Sequence, residues 1–242
     1  MAATKKTVLI TGSTRSIGLS LAEYYTEANW NVIGTVRPNS NAEQLKALSP
    51  FKVVTLDTSD EASILEAARR LEGEPIDLLI NNAGIWVPDT FESATKEEFM
   101  RQFEVNAVGP FLTTRALLPN LELAAKNNGF AYVAQVTSLL GSISSNTAKM
   151  ENFFSKAFGY APSKAALNMV TRSMSVSLRE KNIGLVTLNP GYVATDMNEH
   201  QGYLKPSESA ESMAKIVAKL SLEDTGKFFN ADTQYPAVEL PW

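Results

Sequence analysis

The sequence predicts an α/β fold: a doubly wound parallel sheet of about seven strands with helices on both faces. Three observations lead there. Short apolar runs alternate along the chain with stretches of helical period. The strand runs, such as VLIT at 8–11 and DLLI at 77–80, are almost continuously apolar, as strands covered on both faces must be. No internal repeat or linker divides the 242 residues, so one domain spanning 1–242 is expected.

The elements follow in order. Residues 7–11 read as a buried strand, 16–28 as a helix, 30–36 and 52–56 as the next two strands. Residues 61–71 are helical, because Ile64, Leu65, Ala68 and Leu71 fall at i, i+1, i+4 and i+7. A fourth strand occupies 76–80. Thr95 opens a long helical stretch to 126, with Glu97 and Glu98 complementing the helix dipole in its first turn. Pro110 should kink it, since proline lacks the amide donor and crowds the preceding turn. Strand 131–136 precedes an irregular connection, 139–158, too long to be an ordinary loop. Helix 160–181 tolerates Pro162 in its first turn. Strand 184–188, helix 208–220 and strand 228–231 complete the pattern.

Composition excludes several functions. Lys and Arg number 22 against 26 Asp and Glu, a net charge of −4, so no basic footprint for nucleic acid or an anionic membrane exists. Without cysteine there is no disulfide, Cys-ligated zinc or thiolate nucleophile. The single histidine, His200, excludes a two-His metal site, so no metal is expected. No apolar run approaches 18 residues, and the start has no signal-peptide core; a soluble, cytoplasmic protein is expected.

The turn after the first strand, Thr11-Gly12-Ser13-Thr14-Arg15-Ser16-Ile17-Gly18, can cradle a phosphate. Glycines allow close backbone approach, and the following helix offers free amides. The second strand ends in Gly34-Thr35-Val36-Arg37 with no acid through Asn41. An acid there would repel a ribose 2′-phosphate, whereas Arg37, joined by Arg15, could grip one; NADP(H) is the cofactor this favours. Tyr160 and Lys164 share a helix face, so the ammonium is expected to lower the phenol's pKa toward neutrality. Ser138 and Asn81-Asn82-Ala83-Gly84 end strands at the same carboxyl edge, where open α/β sheets bind ligands. Asn106 precedes Pro110, and Pro190-Gly191-Tyr192-Val193-Ala194-Thr195 follows the sixth strand.

Together these motifs resemble the short-chain dehydrogenase/reductase family over nearly the whole chain. The ending Leu240-Pro241-Trp242 and Thr195-Asp196-Met197 resemble its sniffer, C-factor and norsolorinic acid ketoreductase branch. Two departures stand out: Ser16 replaces the middle glycine of T-G-x-x-x-G-x-G, and Ser138 to Tyr160 is longer than usual.

The resemblance implies a Rossmann-like domain with an Asn106, Ser138, Tyr160, Lys164 tetrad. Ser138 and Tyr160 would polarise a carbonyl, with Tyr160 as proton donor. Lys164 would hold the nicotinamide ribose, and Asn106 would anchor a relay water. Gly12, Thr14, Arg15, Ser16, Ile17, Gly18, Arg37, Asp57, Thr58, Asn82, Ala83 and Gly84 would line the nucleotide, with Pro190, Gly191, Val193 and Thr195 over the nicotinamide.

Trp86, Phe153, Phe154 and Tyr192 are the substrate-side candidates, pointing to a hydrophobic or aromatic ketone or aldehyde. The function implied is an NADPH-dependent carbonyl reductase; the alternatives are a non-catalytic NADP(H)-binding regulator, a dehydratase or epimerase, or a scaffold acting mainly through an interface. Helices 96–126 and 160–181 would pair across a two-fold axis, so a homodimer or homotetramer is expected.

Overall fold

A computed structural model describes residues 5–235 and 237–242. Among these, β1 (Thr7–Ile10), β2 (Asn31–Val36), β3 (Lys52–Thr55), β4 (Leu78–Asn81), β5 (Ala131–Val136), β6 (Ile183–Asn189) and β7 (Phe228–Asn230) form one sheet. Its order is β3-β2-β1-β4-β5-β6-β7, with every pair parallel. The order reverses between β1 and β4, and ligands of such sheets bind at that reversal.

The helices are α1 (Ser16–Glu27), α2 (Glu43–Ala47), α3 (Glu61–Arg70), α4 (Lys96–Phe103), α5 (Gly109–Ala116), α6 (Leu118–Asn128), α7 (Glu151–Phe154), α8 (Tyr160–Leu178) and α9 (Pro206–Val217). Side chains of β1 alternate between two cores. Val8 and Ile10 pack with Leu21 and Tyr25 of α1 and Met213 of α9. Leu9 packs on the other face with Ile64 of α3, Leu121 of α6 and Met174 of α8. Helices on both faces explain why the strand runs carry almost no polar residues.

The stretch expected as one helix from Thr95 is broken twice. The Thr95 hydroxyl accepts from the Glu98 amide at 3.3 Å and starts α4. A π-helical turn, Glu104–Val108, then separates α4 from α5. Pro110 has no N–H for the carbonyl of Asn106, and a wider turn accommodates its ring. The second break, at Leu117, precedes Pro119 in the first turn of α6. The short α2 escaped notice because five residues display no period.

The 139–158 connection is ordered by short helical turns and α7. One end is held by the C-terminal segment: Ser142 Oγ donates to the Pro241 carbonyl and Ser144 Oγ to that of Trp242, both at 2.7 Å. At the other end Asp89, 4% exposed, accepts from the amides of Phe158 (2.5 Å) and Gly159 (2.8 Å). No helix among the described residues is long and apolar enough to cross a membrane.

Candidate active site

A cleft of about 1010 Å³ lies over the carboxyl ends of β1, β4, β5 and β6. Of the residues implied as catalytic, cofactor-binding or substrate-binding, all but Asn106 and Phe154 line it.

The phosphate turn is built by close approach. Thr11 Oγ1 accepts from the amides of Asn82 and Ala83, both at 3.0 Å, and Asn82 Nδ2 donates to the Thr11 carbonyl at 3.0 Å. These bonds lock the β1 turn to the β4 turn. A Cβ on Gly18 would fall 2.1 Å from the Gly12 carbonyl oxygen, so only glycine fits. Gly12 takes φ +65°, and Ser16, in place of the middle glycine, takes φ +48°. Ser16 thus retains a glycine-like conformation and bears the strain a Cβ brings there. Arg15, preceding it, makes no side-chain cap, so the first-turn amides of α1 remain available to an anion. This tight, donor-rich turn fits a dinucleotide pyrophosphate.

Beside the turn, Arg15 and Arg37 line an adjoining depression of about 480 Å³ with Ser40 and Glu43. Arg15 Nη1 also lies 3.5 Å from Asp196, tying the turn to the segment after β6. Asp57 closes a local turn, accepting from the Ser59 amide (3.0 Å) and hydroxyl (2.7 Å), while still lining the cleft with Thr58.

Tyr160 opens α8, and Lys164 follows one turn later. Lys164 is 4% exposed; its Nζ donates to the Val136 carbonyl at 2.9 Å and lies 5.7 Å from the Tyr160 ring centroid. Burial lowers the Lys164 ammonium to about 8. Burial pushes the Tyr160 phenol up to about 12, with a hydrogen bond to Ser138 pulling the other way. The expected lowering of Tyr160 by Lys164 is therefore corrected: desolvation dominates, and the ammonium is directed at a backbone carbonyl. Ser138 follows β5 and caps the next turn, its Oγ accepting from the Leu140 amide at 3.1 Å.

Asn106 is fully buried behind the cleft. Its Oδ1 accepts from the Ile85 amide and its Nδ2 donates to the Ile85 carbonyl, both at 2.9 Å, with a further bond to Ser163 Oγ at 3.0 Å. The side chain fixes the loop after Asn82-Ala83-Gly84 to α8. Pro110 has no N–H to give the Asn106 backbone carbonyl.

On the substrate side, Phe153 meets Tyr192 edge to face at 5.9 Å, and Tyr192 meets Tyr203 at 5.8 Å. The Tyr203 hydroxyl donates to Asp232, and both line the cleft. Trp86 lies 6.3 Å from Tyr160. Phe154 does not face this space: it is buried against Ala157 and Ala161, because adjacent side chains on the short α7 point about 100° apart. Sequence reasoning missed Arg101, Lys156 and Asp232, which also line the cleft, and Asp89, which holds the end of the 139–158 connection.

The family model for short chain dehydrogenase matches residues 6–203. The chain is 38% identical over 171 residues to the C-signal protein of Myxococcus xanthus, covering 69% of this chain and 93% of that one. It is 33% identical to the short chain dehydrogenase gsfK of Penicillium aethiopicum, covering 98% and 99%. Among solved structures, NADPH-bound carbonyl reductase from chicken fatty liver superposes with a TM-score of 0.88 at 33% identity, covering 98% of this chain and 94% of that one. Carbonyl reductase Sniffer of D. melanogaster gives 0.88 at 29% identity, covering 99% and 100%. On its sheet order, its glycine turn and these matches, the chain belongs to the short-chain dehydrogenase family of oxidoreductases.

Proposed function

We propose that residues 1–242 form one catalytic domain that reduces a hydrophobic or aromatic ketone or aldehyde to an alcohol with NADPH. The observation that carries this reading is the convergence of Ser138, Tyr160 and Lys164 in the same cleft as the glycine turn. Gly12, Thr14, Ser16, Ile17 and Gly18 hold the pyrophosphate through backbone approach. Arg15 and Arg37 hold the 2′-phosphate. Asp57 and Thr58 contact the adenine end, and Asn82, Ala83, Gly84, Pro190, Gly191, Val193 and Thr195 enclose the nicotinamide end.

Held in this cleft, NADPH would supply the hydride chemistry that a carbonyl reduction needs. Ser138 and Tyr160 hydrogen-bond the carbonyl oxygen and polarise it. Tyr160, kept protonated by burial, donates its proton to that oxygen. Lys164 holds the ribose, and the Asn106 carbonyl orders the water that resupplies the proton. Phe153, Tyr192 and Trp86 press an apolar substrate toward Tyr160.

Ser16 favours a second reading, a non-catalytic NADP(H)-binding regulator. Its glycine-like φ keeps the cradle open and weakens that rival.

Titration with NADPH and NADH in parallel, followed by nicotinamide fluorescence, tests the cofactor. Tighter NADPH binding that Arg37→Ala weakens is expected; equal affinities oppose the phosphate role. A screen of aryl ketones for NADPH consumption tests the reaction. Tyr160→Phe should lower kcat by about 10²–10⁴-fold. Turnover that survives it opposes the mechanism, and NADPH binding with no turnover favours the regulator.

A further inference from the structure

Beyond the aromatic wall, the cleft contains two cations that the nucleotide does not need. Arg101 stands on α4 and Lys156 near the end of the 139–158 connection; both line the cleft with Trp86 and Phe153. They lie 55 positions apart in sequence, and buried contacts bring their backbones to one corner. Gln102, next to Arg101, accepts from the Val87 amide at 3.0 Å. Its Nε2 is so close to Gly159 that a Cβ there would fall 2.3 Å away. Asp89 pairs with Ala157, next to Lys156, and takes the amides of Phe158 and Gly159.

Among the described residues neither Arg101 nor Lys156 has an ion-pair partner, whereas Arg15 and Lys52 do. Glu104 is the one acid from α4 or the adjoining π-helical turn that lines the same space, and it is paired with neither cation. The Asp89 carboxylate is occupied by backbone amides. Two cations without ion-pair partners among the described residues, lining the cleft with Trp86 and Phe153, suit a molecule with an apolar body and an anionic end.

We propose that the substrate is an aryl or alkyl ketone bearing a carboxylate, which Arg101 and Lys156 hold while its carbonyl meets Tyr160. This rests on the carbonyl-reductase reading and adds an anionic subsite to it.

The test uses the NADPH-loaded full chain and pairs of probes: 4-acetylbenzoate and 3-acetylbenzoate, each with its methyl ester. Affinity is read from the change in bound-NADPH fluorescence, and turnover from NADPH consumption. Each acid should bind about tenfold more tightly than its ester, because two solvent-accessible ion pairs carry a preference of that order. Raising the salt concentration should shrink the preference. R101A/K156A should bring acid and ester together while leaving ester affinity unchanged. Equal affinity in the native protein, or a preference that survives in R101A/K156A, overturns the proposal. Binding of the acid without turnover supports the subsite and counts against the reductase reading, so the two failures are distinguishable.

Discussion

Asn106 pairs with Ile85 as one strand residue pairs with another: its side-chain amide accepts from the Ile85 N–H and donates to the Ile85 carbonyl, both at 2.9 Å. A third bond reaches Ser163 on α8. One buried side chain therefore sets the distance between the Asn82-Ala83-Gly84 loop and the helix of Tyr160 and Lys164. Asn106→Ala leaves the partly buried Ile85 amide and carbonyl without their partner, while Ser163 Oγ keeps its bond to the Tyr160 carbonyl. We expect a loss of about 2–4 kcal/mol, read from urea unfolding at constant m-value. A lower kcat should accompany it. An unchanged unfolding midpoint would show that the pairing contributes nothing.

Ser16 and Gly18 separate two demands on the phosphate turn. Ser16 needs only a positive φ, whereas Gly18 needs space, since its Cβ would meet a carbonyl oxygen at 2.1 Å. Ser16→Gly relieves strain but loosens the unfolded chain, for a net gain of about 0.5–1 kcal/mol with NADPH affinity retained or improved. Gly18→Ala should abolish NADPH binding by fluorescence titration. The prediction fails if Gly18→Ala binds NADPH normally.

Burial acts on Tyr160 and Lys164 in opposite directions, and on the proposed mechanism the pH profile should register both. Lys164 is charged below about 8 and loses its charge as pH rises through that value. Tyr160, raised to about 12, stays protonated throughout. Reductive kcat/KM should be flat in mildly acid solution and fall above pH 8. Lys164→Arg keeps the charge, so whatever activity remains should lose the alkaline fall. A fall that persists in that variant assigns it to another group.

Phe153 and Phe154 are adjacent in sequence but sit in different environments. Phe153 is 46% exposed and meets Tyr192 across the cleft mouth, while Phe154 is buried in the small cluster beneath α7. Phe153→Ala should raise KM for aryl ketones several-fold without lowering Tm. Phe154→Ala should destabilise by about 2–4 kcal/mol. Reversed effects would place the wrong phenylalanine in the pocket.

That pair shows where sequence reading stops. The strands were legible because burial on both faces leaves long apolar runs, and Ser138, Tyr160 and Lys164 because strand ends and helical spacing bring them to one edge. The face taken by Phe153 depends on the pitch of a four-residue helix with no period of its own. Pro110 announces a disruption, yet its resolution as a wider turn is set by packing against α8. Asp89 carries no local signal, since its partners lie 69 and 70 positions away.

The outer face of α8 supplies the last expectation. Met169 and Val176 are seven positions apart, so they lie on one stripe, and they are 68% and 70% exposed. Val108, on the π-helical turn, is also exposed. Small side chains at Ala165, Ala166, Ser173 and Ser177 on the same helix permit close approach of a second copy. Pairing of α8 and the α4–α5 segment across a two-fold axis would cover these apolar groups, and a stable interface of this kind buries about 1,600 Å² in total. Light scattering at micromolar concentration should give twice the chain mass or a multiple of it. Met169→Glu with Val176→Glu places like charges across the axis and should shift the mass to that of one chain. A native monomer under the same conditions would exclude the pairing, and these residues would then be ordinary exposed side chains.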